Sequence, residues 1–362
     1  HRHPDHVDRL GGTERTWLTV PPIIDPDTQQ PATVLGRLAD WAPGLAALRR
    51  YRRADLPHDL AGGLAVAAVT VPVGIAYAQL AGLPPEHGLY AGILPLVVYA
   101  VLGTSRQLIV GTSAAAAALV ASAVGTLAAG DPSQHLALAM MLTLLVGLMC
   151  LAASLLRLGA IADVLSRPIV VGFMNGIALS IVLGQLGSLF GISLEAKGFF
   201  PRVFEFLGSL PRAHLPTLTV GLVSLGVLLA MARFAPRLPA ALVAMLVAGV
   251  VVHLLSLQPA GVGLIGVVPA GLPALSVPFV PLHQMPVLLA EAAGLTLLSF
   301  SSTMLAARSF ADRNRYDIDA DREIAALGAA NIAAAVSQSF VVTGSGTRTA
   351  VAESAGARTQ VA

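Results

Sequence analysis

Val110-Gly111-Thr112-Ser113, running on into Ala114-Ala115-Ala116-Ala117-Ala118, shares its pattern with a distant stretch, Gly344-Ser345-Gly346-Thr347-Arg348-Thr349-Ala350. Each opens on glycine and hydroxyl residues and continues with small ones. Within apolar surroundings such a stretch has two readings. One is close packing of small residues between membrane helices. The other is a short helix that starts inside the membrane, where its first N–H groups lack intrahelical partners and carry the positive end of the helix dipole. Two such starts entering from opposite faces aim their positive ends at one spot, and paired interruptions in two halves of a chain mark a solute site at the bilayer midplane. Backbone N–H groups at Thr112, Ser113 and Ala114 and at Ser345, Gly346 and Thr347 are the expected cradle for an anion. Arg348 adds charge beside it. An Arg at the centre of a membrane helix costs about 2.5–3.5 kcal/mol, which a bound anion or a carboxylate must offset. Glu353, five residues on, is the candidate carboxylate.

The surrounding chain supports a membrane setting. Of 362 residues, 55% are apolar and 12% charged, with a mean hydropathy of +0.76; soluble domains carry about 25% charged residues. The charges concentrate in residues 1–59, read as a loose cytoplasmic leader that ends in a short amphipathic helix at the membrane surface, Leu45–Tyr51 with Arg49, Arg50, Arg52 and Arg53. From Leu60 onward about ten apolar stretches approach membrane-spanning length, at roughly 60–81, 88–103, 110–129, 135–156, 168–191, 215–232, 238–257, 286–307, 323–341 and 345–362. With the leader inside, seventeen Arg fall on inside segments against three basic residues, Lys197, Arg202 and Arg212, outside. That bias sets a cytoplasmic N-terminus. Seven of these stretches fall in residues 60–257 and three in 286–362, with 258–285 an outer loop lying against the protein.

Other features narrow the function. A single Cys, Cys150, allows no internal disulfide. A net charge of +2 gives no footprint for nucleic acid. His1, His3 and His6 lie in a Pro-rich terminus with nothing to orient a metal. No phosphate loop, dinucleotide fingerprint or spaced metal cluster is present, so an enzyme is not expected. In the first span, Pro72 frees backbone groups and Gly74 permits unwinding, which makes Val73, Gly74, Ile75 and Tyr77 candidate lining residues. In the eighth, Ser299, Ser301, Ser302 and Thr303 form a hydroxyl run, with Ser301 and Ser302 taken to face the site. Glu291 is placed near the outer mouth. Asn175 reads as a helix–helix hydrogen bond, and Gly172 with Gly176 as a packing pair.

Read in order, these residues resemble the SulP family of sulfate permease-like anion transporters. The likeness runs from about Leu56 to the end. It rests on Asp59-Leu60-Ala61-Gly62, Pro72 with Ala76-Tyr77-Ala78, Ala81-Gly82-Leu83-Pro84-Pro85, Gly88-Leu89-Tyr90-Ala91, Gly266 to Pro273, Ala326 to Ile332, and Thr343 to Ala350. The resemblance implies an all-α membrane protein of two inverted seven-segment repeats, residues 60–257 forming the first and 286–362 the start of the second, with a core domain, a gate domain and substrate held between the third and tenth half-helices. It implies secondary active transport by alternating access in the cell membrane, as a homodimer, without a cofactor, coupled to H+ or Na+. Two departures bear on coupling: Val73 and Ser301-Ser302 stand where many relatives carry Gln or acids. The chain ends within or just after the tenth segment, so about ten segments are expected. The expected substrate is a small anion: sulfate or a related oxyanion, then bicarbonate or a dicarboxylate. The alternatives are a nucleobase permease of the same architecture and a transport-inactive membrane scaffold.

Overall fold

The computed structural model describes residues 42–362 apart from 50, 129, 160–166, 195, 197, 236–237 and 267. His1, His3, His6, most of the leader, Arg50, Lys197 and Arg237 lie outside the described residues. Of the described residues 71% are helical, and where helices start follows from local chemistry. After a short helix α1 (Pro43–Arg49), α2 (Leu56–Leu80) opens with a proline in its first turn and runs without interruption past Pro72. The expected unwinding at Gly74 is not there. Gly74 instead lets α3 approach: a Cβ on it would stand 2.9 Å from the Gly88 carbonyl oxygen.

The expected second span is divided into α3 (Pro85–Tyr90) and α4 (Leu94–Leu102) by a turn at residues 91–93. Pro95 supplies no N–H to bond back across that turn. Strand β1 (Ile109–Thr112) leads into α5 (Ala114–Gly125). Helix α6 (Pro132–Leu155) starts on Asp131, whose carboxylate accepts from Ser133 and Gln134 N–H. Next come α7 (Arg167–Phe190), α8 (Phe199–Ser209), α9 (Leu215–Phe234) and α10 (Ala240–Leu254). After the 258–285 connection, α11 (Met285–Asn314) and α12 (Ala320–Val336) are followed by β2 (Val342–Ser345) and α13 (Gly346–Ser354). Among the described residues, five helical stretches are long and apolar enough to cross a membrane: Arg53–Leu80, Pro85–Leu102 (α3 and α4 taken together across their turn), Pro132–Leu155, Leu215–Phe234 and Leu282–Asn314.

The core lies between α2, α5, α6, α11 and α12, around Ala78, Val120, Leu138, Leu142, Leu288, Leu295 and Leu327. Helices α6 and α12 cross at Gly147 and Gly328, where a Cβ on either would stand 2.8 Å from the other's carbonyl oxygen. Helices α7–α10 add little to this core, and α9 has no buried residue. Gly172 and Gly176 have nothing packed against them among the described residues, and Asn175 is exposed, so neither makes the helix contact expected of it. The 258–285 connection touches the rest through the Ala260 carbonyl, 2.8 Å from His214 Nε2, through Ser276 N–H, bonded to the Val336 carbonyl, and through buried Val280, while Leu272, Val277 and Phe279 stay exposed.

The tenth segment is helical for only nine residues. Gly356, at φ +93°, turns the chain, and the remainder returns to the start of α2. There buried Asp59 accepts from Arg358 N–H (2.7 Å), Thr359 N–H (3.1 Å) and the Thr359 hydroxyl (2.6 Å).

Candidate functional site

β-Branched residues precede both half-helices: Ile109 and Val110 in one arm, Val341, Val342 and Thr343 in the other. Such residues favour extended backbone, and the two stretches pair antiparallel, Ile109 with Ser345, Val110 with Gly344, Gly111 with Thr343 and Thr112 with Val342. The all-α expectation thus gains a two-stranded ribbon, and Thr112 belongs to a strand rather than to a helix start. Each strand passes directly into its helix. Ser113 caps α5 by accepting from Ala116 N–H (3.2 Å), and Ser345 caps α13 by accepting from Arg348 N–H (3.3 Å). The caps leave other first-turn N–H groups without helical partners. Because the strands are antiparallel, the helices leave the ribbon at opposite ends, with their positive poles facing along it. Four residues of strand separate the caps, about 13 Å.

Arg348 bridges this interval. It is 3% exposed, rooted in the first turn of α13, and donates from Nη2 to the Thr112 carbonyl (2.9 Å) beside the start of α5. Its Nη1 is buried and has no hydrogen-bond partner among the described residues. The expected Glu353 partner is engaged elsewhere, with Arg313 (3.1 Å) and Asn314 (3.3 Å) at the end of α11. A spacing of five turns Glu353 off the Arg348 face. No carboxylate pairs with Arg348 among the described residues. The guanidinium therefore keeps its charge and one donor uncommitted, in a place where an unmatched polar group costs about 1–3 kcal/mol or more.

The ribbon is held from three sides. Asn331 of α12, fully buried, accepts from Val342 N–H (3.0 Å) and donates to the Val342 carbonyl (3.1 Å), closing the outer edge of β2 as another strand would. Thr303 of α11 accepts from Gly344 N–H (2.8 Å) and donates to its own helix at Ser299 (2.6 Å). Thr349 of α13 accepts from Ile109 N–H (3.0 Å). Sequence reasoning did not single out Asn331 or Thr349. The available signal for Asn331 was a lone amide within Ala-rich Ala329 to Ala335.

Among the other expected lining residues, Tyr77 lies within electrostatic reach of Arg348, and half-buried Val73 shares its helix face. Gly74 faces α3, and buried Ile75 lies on the far side of α2 from Tyr77. Ser302 sits against β2, its hydroxyl 3.5 Å from the Gly344 carbonyl. Ser301 is turned about 160° from Thr303 around α11, away from β2. Thr347 is exposed, and Ser113, Ala114, Ser345 and Gly346 are half-buried at the two helix starts.

A buried two-stranded ribbon, flanked by two helix starts and one buried arginine, sits among apolar helices long enough to cross a membrane. Residues 56–362 match the sulfate permease family, and the chain belongs to that family, whose members are transporters and not enzymes. A probable sulfate transporter of Mycobacterium tuberculosis is 43% identical over 323 residues, covering 89% of this chain and 58% of the relative. The chloroplastic sulfate transporter 4.1 of Arabidopsis thaliana is 32% identical over 335 residues, covering 89% and 49%. This chain thus spans about half to three-fifths of the length of these relatives. The murine Solute Carrier 26 family member A9 anion transporter, in its inward-facing state, superposes with a TM-score of 0.83 at 25% identity, covering 92% of this chain and 59% of that one. The transmembrane domain of a cyanobacterium bicarbonate transporter, BicA, shares the fold at a TM-score of 0.77 and 24% identity, covering 86% and 79%. The nucleobase alternative finds no support in the family or in these relatives.

Proposed function

We propose that the protein is a secondary active transporter of small anions that works by alternating access, with sulfate or a related oxyanion as first substrate and bicarbonate or a dicarboxylate behind it. One observation carries the reading: a buried Arg348, set between two opposed helix starts, has an Nη1 donor with no partner among the described residues. A tetrahedral oxyanion supplies the missing acceptor. It can take Nη1 as a charge-assisted bond and, from its other oxygens, the free N–H groups of Gly346 and Thr347 or of Ala114 and Ala115. Tyr77 and Ser302 stand as neutral neighbours. The probable sulfate transporter relatives favour sulfate, and the bicarbonate transporter sharing the fold is the reason bicarbonate comes next.

The chain is read as a multi-pass protein of the cell membrane with a cytoplasmic N-terminus, on the arginine bias of its loops, and as one protomer of a homodimer. Residues 60–257 and 286–362 are read as the first repeat and the start of the second. The test is uptake of labelled sulfate into proteoliposomes. Arg348→Ala should lower uptake at least about tenfold, the loss of a charge-assisted bond, while the melting temperature in detergent stays near that of the parent. Unchanged uptake removes Arg348 from the site. Separate pH and sodium gradients in the same vesicles identify the coupling ion as H+ or Na+.

A further inference from the structure

We infer that Gly111 is a positioning residue for the anion site, and that its lack of a side chain sets where the Arg348 guanidinium rests; the inference rests on the reading of Arg348 just given. Gly111 lies inside β1, and its φ is not positive, so its backbone is one that any residue adopts. Conformation does not demand glycine there. Space does. A Cβ built on Gly111 would run into Arg348 Nη1 and stand 3.1 Å from Cζ. Nothing but the Arg348 side chain lies among its nearest neighbours.

The same Nη1 is the donor without a partner, and the sister Nη2 is fixed on the Thr112 carbonyl, one residue along from Gly111. Gly111 and the Thr112 carbonyl therefore act together. The carbonyl anchors one arm of the fork, and the bare α-carbon lets the other lie flat against β1, beside the start of α5. A methyl group at 111 pushes the fork off the strand and breaks the Nη2 anchor, because the guanidinium is planar and moves as a unit. The charge then stays in the protein but leaves the place where the two helix poles converge. Gly344, at the matching place in β2, has a different neighbour: a Cβ there would meet the Thr303 backbone at 2.8 Å. The positioning role is thus particular to the first strand.

The test is a double-substitution cycle on the purified protein, read by sulfate affinity and by melting temperature. Gly111→Ala should weaken sulfate binding about tenfold or more and lower the melting temperature. In an Arg348→Ala background the same change should cost little in either measurement, because the obstructing fork is gone. Gly111→Ala with Arg348→Lys serves if Gly111→Ala alone does not fold, since the narrower ammonium clears the methyl; recovery of folding there supports the inference. A melting-temperature penalty equal in the Arg348 and Arg348→Ala backgrounds overturns it. So does full sulfate affinity in Gly111→Ala. If Arg348→Ala leaves sulfate affinity intact while the melting-temperature coupling persists, the contact is real and the anion reading is what fails.

Discussion

The arm formed by β1 and α5 and the arm formed by β2 and α13 share an outline: a strand of four residues, a serine cap, a helix start. Their chemistry differs. The first arm offers shape. Its contributions at the ribbon are a bare α-carbon at Gly111, one carbonyl at Thr112 and an alanine-rich first turn. The second arm offers charge and polar attachment. It carries Arg348 and Thr349, and its strand is fastened by Asn331 and Thr303. An inverted architecture therefore need not place like residues at like positions. One arm supplies the carbonyl and the bare α-carbon against which the other rests its guanidinium.

The largest effect that would expose this asymmetry is expected from Asn331→Leu. It strips both partners from the buried Val342 peptide groups, at about 1–3 kcal/mol for each group left unmatched. Chemical unfolding in detergent should show a loss larger than for any single polar substitution in the first arm. A loss no greater than that of a serine cap would mean that both strands are held alike. Gly344→Ala comes next, at about 1–3 kcal/mol of overpacking against the α11 backbone. Unlike Gly111→Ala, it should gain nothing from removal of Arg348. Rescue by Arg348→Ala would erase the distinction between the two glycines. The smallest effects belong to the caps. Ser113→Ala and Ser345→Ala should each cost about 1 kcal/mol. Ser345→Ala should weaken sulfate binding more, because Ser345 accepts from Arg348 N–H and meets the Thr347 hydroxyl (3.2 Å). Equal losses of affinity would argue that the two helix poles contribute equally.

Much of the architecture was legible in the order of residues. Apolar runs place the spans because a membrane helix must satisfy its backbone internally and cover itself with apolar side chains. Glycine and serine ahead of small residues marked both helix starts. Long-range pairing was not legible. On their own, Val110 to Ser113 and Gly344 to Thr347 read as helix openings, and only the meeting of Ile109–Thr112 with Val342–Ser345 makes a ribbon. The Glu353 assignment failed for the same reason: its partners Arg313 and Asn314 lie some forty residues away on α11, beyond any helical spacing. Ser301 and Ser302 looked equivalent in a run of hydroxyls, but a 100° step per residue sends one to β2 and turns the other away.

The ribbon also has a consequence for how the protein is made. Its strands are separated by most of the chain, so β1 emerges from the ribosome long before β2 exists. At about 5–20 residues per second, the wait is on the order of 10–50 s. Throughout that time the edge of β1 sits in a nascent bundle with no strand beside it, in surroundings that punish unpaired amides. Something must shelter it, be it water, lipid headgroups or a membrane chaperone, and the maturation of this site is therefore a late event in biogenesis, completed only when the last of its parts arrives.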